Sequence, residues 1–150
     1  VSDILVRLAH AKEQAALEAL QMRASLDNPG DREALLASPD AVELPLAQIE
    51  EGRVFVAEAG GRIAGFAVLL SREDGGFELD GLFVEPTLWR HGVGRMLVDH
   101  CAQAVRAGGS KALHVVGNPH AEAFYRLCGF ETLGVEQTRF GPALLMRRSV

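Results

Sequence analysis

The sequence predicts one α+β domain of mixed α/β type: a central, mostly antiparallel sheet with one parallel strand pair, flanked by helices. Three observations carry this. Short β-rich runs in the first half are joined by glycine turns, the composition of hairpins. A strongly amphipathic helix separates two later strands, which makes those two strands parallel. The 150 residues, 48% hydrophobic and 23% charged, suit a single core burying roughly two-thirds of the unfolded surface. The expected domain is therefore 1–150.

In chain order, residues 4–8 read as a first strand, and the Ala-, Leu- and Glu-rich run to about Leu26 as a helix. Asn28, Pro29 and Gly30 stop it, Asp31 caps a short second helix through Leu36, and Ser38, Pro39 and Asp40 mark the next turn. Residues 53–59 and 62–70 form a hairpin across Gly60 and Gly61. Asp74, Gly75 and Gly76 then turn the chain into a strand over 77–84, which Pro86 ends because it has no amide for a ladder. Val93, Leu97, Cys101, Ala104 and Val105 fall at helical spacing within 93–107, and Gly108 and Gly109 close that helix. Residues 111–116 make the parallel strand. Asn118 and Pro119 read as cap and first residue of a last helix ended by Gly129, and 130–135 and 143–148 supply two final strands.

A formal net charge of −5 offers no broad attraction for a phosphate backbone, so nucleic acid is excluded as a partner. Lys12 and Lys111 are the only lysines; the other cations are Arg, whose planar fork suits the phosphates of a cofactor. Cys101 and Cys128 lack C-x-x-C spacing and are expected as buried, reduced thiols. No apolar run approaches the ~20 residues that span a bilayer, and Val1 opens no leader pattern. A cytoplasmic enzyme with no membrane partner is the expectation.

The segment Trp89-Arg90-His91-Gly92-Val93-Gly94-Arg95 joins a strand to the exposed first turn of a helix, where unpaired amides meet the positive end of the dipole. Such a turn cradles anions: its glycines admit phosphate oxygens, and Arg90 or Arg95 adds charge-assisted bonds. Taken alone it is equally an ordinary strand-to-helix turn. Leu97 stands where a dinucleotide fingerprint needs its third glycine, and no Walker lysine motif exists, so an oxidoreductase and a kinase are both excluded.

Three ordered segments, Leu82-Phe83-Val84-Glu85-Pro86, the glycine turn, and Asn118 through Tyr125 to Gly129-Phe130, resemble the GNAT N-acetyltransferase family over roughly residues 53–135. The resemblance implies the GNAT fold, with its fourth and fifth strands splayed around the cofactor. It also implies acetyl-CoA as cosubstrate, with no metal, and direct transfer of the acetyl group to a primary amine. Leu82, Phe83 and Val84 would offer backbone groups to the pantetheine and thioester. Arg90, His91, Gly92, Val93, Gly94 and Arg95 would hold the pyrophosphate, and Asn118 would contact the cofactor. Trp89 departs from the family pattern, which has Gln or Arg there.

Tyr125, the only tyrosine and seven residues after Asn118, resembles the family's general acid for the departing thiolate. Seen alone, it is equally a core residue and Asn118 a plain helix cap. In the family, a backbone amide in a bulged fourth strand polarises the carbonyl, here near Leu82 or Phe83. For the base, Glu78 and Asp80 alternate onto one strand face and could order a water or attract a cationic acceptor; a merely solvated face is the alternative. Leu113 occupies the fifth-strand position where some relatives carry a glutamate. The five histidines show no metal-ligand spacing.

A silent acyl-CoA-binding module is the competing reading, and the presence of Tyr125 with Asn118 argues against it. The acceptor, a small-molecule amine or a peptide, is expected to be set by the front helices, the loop around Asn28 to Pro39 and the segment from Glu136 to Pro142, which resemble the family's variable walls. Monomer and homodimer both stay open.

Overall fold

β1 (Ile4–Leu8) pairs antiparallel with β2 (Val54–Ala59), which turns at Gly60 and Gly61 into β3 (Arg62–Ser71). Both glycines hold left-handed φ, +60° and +77°, as a two-residue primed turn requires. β4 (Phe77–Val84) pairs antiparallel with β3, β5 (Ala112–Gly117) runs parallel to β4, and β6 (Glu131–Thr138) and β7 (Gly141–Ser149) close the sheet as a hairpin. The order is β1-β2-β3-β4-β5-β7-β6, so the parallel pair lies inside an otherwise antiparallel sheet, as expected. The structure, a computed structural model, describes residues 3–38, 42–139 and 141–150.

Helices cover both faces. On one lie α1 (Gln14–Asp27), α2 (Pro29–Ala37) and the short α3 (Leu46–Glu50); on the other lie α4 (Val93–Ala107) and α5 (Glu122–Leu127). α1 buries Leu17, Leu20 and Ala24 against Val56, Phe66 and Val68, while α4 buries Leu97, Val98, Cys101 and Val105 against Leu79, Leu113 and Val115. Each stripe follows the 3.6-residue period. Both cysteines are buried free thiols, and burial pushes the Cys101 thiol up to about 12.

The front of the chain departs from the sequence reading in two places. α2 begins at Pro29, so Asp31 lies in its first turn, its amide donating to Asn28 O at 3.0 Å, and is not its cap. The cause is Pro29, which disfavours the helical region for the residue before it. Asn28 is accordingly extended (φ −90°, ψ 118°), and the proline supplies the ready-made first residue of a new helix. α3 was not anticipated, because five residues after Pro45 are too few for a periodic signal. The turn expected at Ser38, Pro39 and Asp40 falls, from Pro39 on, outside the described residues.

Candidate active site

β4 is shared unequally between its neighbours. Its pairing with β3 runs from Phe77 to Val84, whereas its pairing with β5 stops after Leu79↔Val115. Beyond that point β5 continues beside β7 as far as Gly117↔Leu144, and a V-shaped cleft opens between the two parallel strands. It encloses about 290 Å³ and is lined by Leu79 to Phe83, Val115 to Asn118 and Tyr125, with α1 and α2 contributing Gln21, Ser25, Asp31 and Leu35.

A β-bulge sets which groups of β4 face the cleft. Gly81 pairs with Val68 and Leu79 with Leu69, which leaves Asp80 as the extra residue. The bulge therefore precedes by two or three residues the amides of Leu82 and Phe83 singled out in the sequence. Since the Glu85 amide donates to Ala64 O at 2.8 Å, strand alternation sends the backbone polar groups of Gly81 and Phe83 to β3. Those of Leu82 and Val84 point to the cleft, where β5 no longer meets them. The Val84 carbonyl is taken by the Trp89 indole N–H at 2.8 Å, so Trp89 fastens the end of the strand. Among the described residues the Leu82 and Val84 amides have no strand partner on that side. The bulge also reverses side-chain parity: Leu82 and Val84 pack on the α4 side with Leu79, and Phe83 on the α1 side.

Tyr125 stands at the β5 side of the split. Its ring packs on Gly117, where a Cβ would come within 3.3 Å of Cε2, and edge-on against Phe124 and Phe130 at centroid distances of 5.2 and 5.5 Å. Only 8% of the residue is exposed. Burial, and after it the nearby Cys128 and Asp31, raise the phenol above its ordinary range, so it stays protonated. Among the described residues no sealed side-chain polar atom lacks a partner; the Tyr125 hydroxyl makes no hydrogen bond among them and therefore opens onto the cleft it lines.

Asn118 is the cap that its sequence position predicts. Its Oδ1 accepts the His120 amide at 2.9 Å, and its Nδ2 donates to Asp31 Oδ1 at 3.1 Å, tying the end of β5 to α2. That second bond, across 87 positions of sequence, had no signal in the sequence.

The two carboxylates of β4 separate. Glu78 lies outside the cleft, within 3.4 Å of Arg72. Burial raises its carboxyl above the ordinary range; Arg72 opposes that, and Asp80 and Glu136 add to it. Asp80, on the bulge, lines the cleft and has no ion pair among the described residues. Its side chain is exposed, and partial desolvation by the cleft walls around it raises its carboxyl above the ordinary range.

At the Val84 end of the cleft stands the N-terminus of α4. The backbone is left-handed at Arg90 (φ +68°) and again at Gly92 (φ +85°), and the first intrahelical bond is Met96 N to Gly92 O. The amides of Val93, Gly94 and Arg95 are thus free at the positive end of the dipole, with no acidic residue in that turn. Arg90, His91 and Arg95 are exposed beside it, an anion-binding arrangement. Gly94 has a reason different from the one the motif suggests. A Cβ there would meet the Phe124 ring at 3.1 Å and Val84 Cγ2 at 3.6 Å, so this glycine brings α4 against α5 and β4 and does not face the anion. Larger, more open hollows of about 520 and 500 Å³ flank the outer side of α4; they hold none of the groups gathered in the cleft.

The sequence pointed to the front helices and the 28–39 loop as acceptor walls but not to Gln21, Ser25 and Asp31 individually, because only the packing of α1 and α2 brings these side chains to the cleft. Among the described residues no group of three or more His, Cys, Asp or Glu could hold a metal ion, and no helix is long and apolar enough to cross a membrane.

The family model described as "Acetyltransferase (GNAT) family" matches residues 14–130. No curated protein matches the sequence. Among solved structures, the chain is similar to a PaiA N-acetyltransferase from Thermoplasma acidophilum in complex with coenzyme A (17% identity, 99% of each chain, TM-score 0.77). It is also similar to a GCN5-related N-acetyltransferase from Rhodopseudomonas palustris (20%, 99% of this chain and 97% of that one, 0.78). A third is yncA of Salmonella typhimurium with its cofactor acetyl-CoA (20%, 99% and 94%, 0.72). At these identities the structures share the fold, and the family match carries the assignment. The chain belongs to the acetyltransferase (GNAT) family.

Proposed function

We propose that this GNAT acetyltransferase, acting as one cytoplasmic N-acetyltransferase domain, moves an acetyl group from acetyl-CoA to a primary amine by direct attack in the β4–β5 cleft. The observation that carries the reading is the pair of unmatched amides at Leu82 and Val84, facing a free phenol across a split that ends on the open N-terminus of α4. Acetyl-CoA would bring the activated acetyl group as a thioester.

The chain's own residues then divide the work. The free amides of Val93 to Arg95, with Arg90, His91 and Gly92 around them, hold the pyrophosphate. The Val84 amide, with Phe83 beside it, aligns the pantetheine arm, and the Leu82 amide donates to the carbonyl oxygen as negative charge grows there. Asn118 fixes the start of the last helical segment and so the position of Tyr125. The phenol donates its hydrogen bond to the departing sulfur; burial keeps it protonated and ready, at the cost of making it a weaker acid. Asp80, raised and unpaired, accepts the amine's proton directly or through water. Glu78, engaged with Arg72, contributes less.

Measuring acetyl-CoA-dependent thiol release over an amine library tests the reading. Release that requires an amine and falls in Tyr125→Phe agrees with it; binding of acetyl-CoA with no transfer to any amine removes it in favour of a binding module.

A further inference from the structure

The acceptor end of the cleft has a consistent chemistry. Where α1 crosses the split, Gln21 and Ser25, one helical turn apart, line it together with Asp31 and Leu35 of α2 and Asp80 of β4. Ser25 is 7% exposed, the one buried polar residue among those described. Its hydroxyl makes no hydrogen bond among the described residues, and since no sealed polar atom there lacks a partner, it too reaches the cleft. A buried hydroxyl without a protein partner costs free energy unless a ligand or water completes it. Ser25 and Tyr125 thus both point to a polar occupant.

The charge is one-sided. Two carboxylates line the cleft, and among its described lining residues there is no Lys, Arg or His. Asp31 is bonded to the neutral amide of Asn118 and makes no ion pair among the described residues; its charge is steadied only by the first turn of α2. Arg72 is paired with Asp74 and Glu78, and Arg23 with Glu85. An acceptor carrying its own carboxylate or phosphate would bring that anion beside two carboxylates with no cation on the described lining to pair it, a repulsive arrangement. A cationic amine meets a favourable field. The cleft's volume of about 290 Å³ must also admit the thioester end of acetyl-CoA, which leaves room for a small acceptor only.

We propose that this cleft selects a small primary amine bearing no carboxylate or phosphate near its nitrogen, oriented by hydrogen bonds to Ser25 and Gln21 and drawn in by Asp31 and Asp80. The inference rests on the acetyl-transfer reading and adds its substrate class.

Matched acceptors test it: 2-phenylethylamine and phenylalaninamide against phenylalanine, and 1,4-diaminobutane against ornithine. The carboxylate-free member of each set is expected to show kcat/KM at least about tenfold higher. Gln21→Arg, which places a cation on the cleft wall, is expected to narrow that ratio several-fold, with thermal melting confirming that it folds. Equal efficiency, or preference for the carboxylated members, in the wild-type enzyme would overturn the inference while leaving acetyl transfer standing. If no acceptor is acetylated, calorimetry of the same compounds against the protein saturated with coenzyme A decides. Tighter binding of the carboxylate-free members then supports the selectivity and removes the transfer reading. Equal binding, or none, overturns the selectivity as well.

Discussion

The two edges of β4 are made by the same eight residues and meet different fates. Toward β3 the ladder holds to Val84 and absorbs one extra residue at Asp80; toward β5 it ends after Leu79. A complete ladder consumes every backbone donor, whereas an interrupted one leaves donors that only water or a substrate can satisfy. The closed edge therefore builds the sheet, and the open edge lines the candidate site. The same contrast separates two side chains on this strand. Glu78 lies before the split and pairs with Arg72, while Asp80 stands on the bulge with no ion pair among the described residues.

The largest expected effect falls on the open edge. Tyr125→Phe should lower kcat and kcat/KM together by ~10²-fold, the usual range for a positioned acid, with KM and acetyl-CoA affinity nearly unchanged. The ring stays in its packing site between Gly117, Phe124 and Phe130. Full activity with chemistry rate-limiting would make the phenol structural; collapsed acetyl-CoA binding would assign the hydroxyl to the cofactor.

Gly94→Val tests the hinge between the split and α4. Two methyl-bearing branches would be forced toward the Phe124 ring, already 3.1 Å from a bare Cβ, so about 2 kcal/mol of stability should be lost by overpacking. Acetyl-CoA affinity should fall because α4 moves, and thermal melting with calorimetry reads both. Gly92→Val, where nothing stands within 4 Å but φ is +85°, separates backbone strain from crowding.

Asp80→Asn should reduce kcat/KM roughly tenfold, against less than twofold for Glu78→Gln. The sign of the pH effect follows from the raised carboxyl. A base works ionised, so the acid limb of the wild-type profile should lie above the ordinary aspartate range and disappear in Asp80→Asn. Because ionised Asp80 is disfavoured by folding, the same variant should melt no lower than wild type at neutral pH. Equal, wild-type kinetics for both variants would give the proton to water alone.

The smallest effect belongs to the closed side. Arg7 of β1 binds Glu58 of β2 at 2.6 Å and Glu13 at 2.8 Å, and this guanidinium holds the Glu13 carboxyl down to about 2. The stabilisation is present above the unfolded value of about 4.3 and is lost as pH falls toward 2. Glu13→Gln should cost roughly 1 kcal/mol at pH 7, with the difference from wild type vanishing in acid and activity untouched.

The local features were legible from residue order. Gly60 and Gly61 announced their hairpin, α4 its period, and Asn118 with Pro119 the last helical turn, since each depends on residues a few positions apart. The site's finer geometry was not local. The bulge at Asp80 arises from the match between two strands and shifts the cleft-facing amide to Leu82, one of the two positions expected, while carrying Phe83 to the other face. Ser25 and Gln21 reach the cleft only through the packing of α1 over the sheet, which no local run of residues announces. Gly94 was recognised, but its cause, the Phe124 ring thirty residues on, was out of sight.

The amides of β4 give the most direct test. In hydrogen exchange followed by NMR, Gly81 and Phe83, bonded to β3, should be protected in the free protein and unchanged by acetyl-CoA. Leu82 and Val84 should exchange rapidly when free and become protected, with large shifts of their resonances, on saturation with acetyl-CoA. Protection of Leu82 and Val84 in the free protein, or indifference of both to acetyl-CoA, would contradict the account.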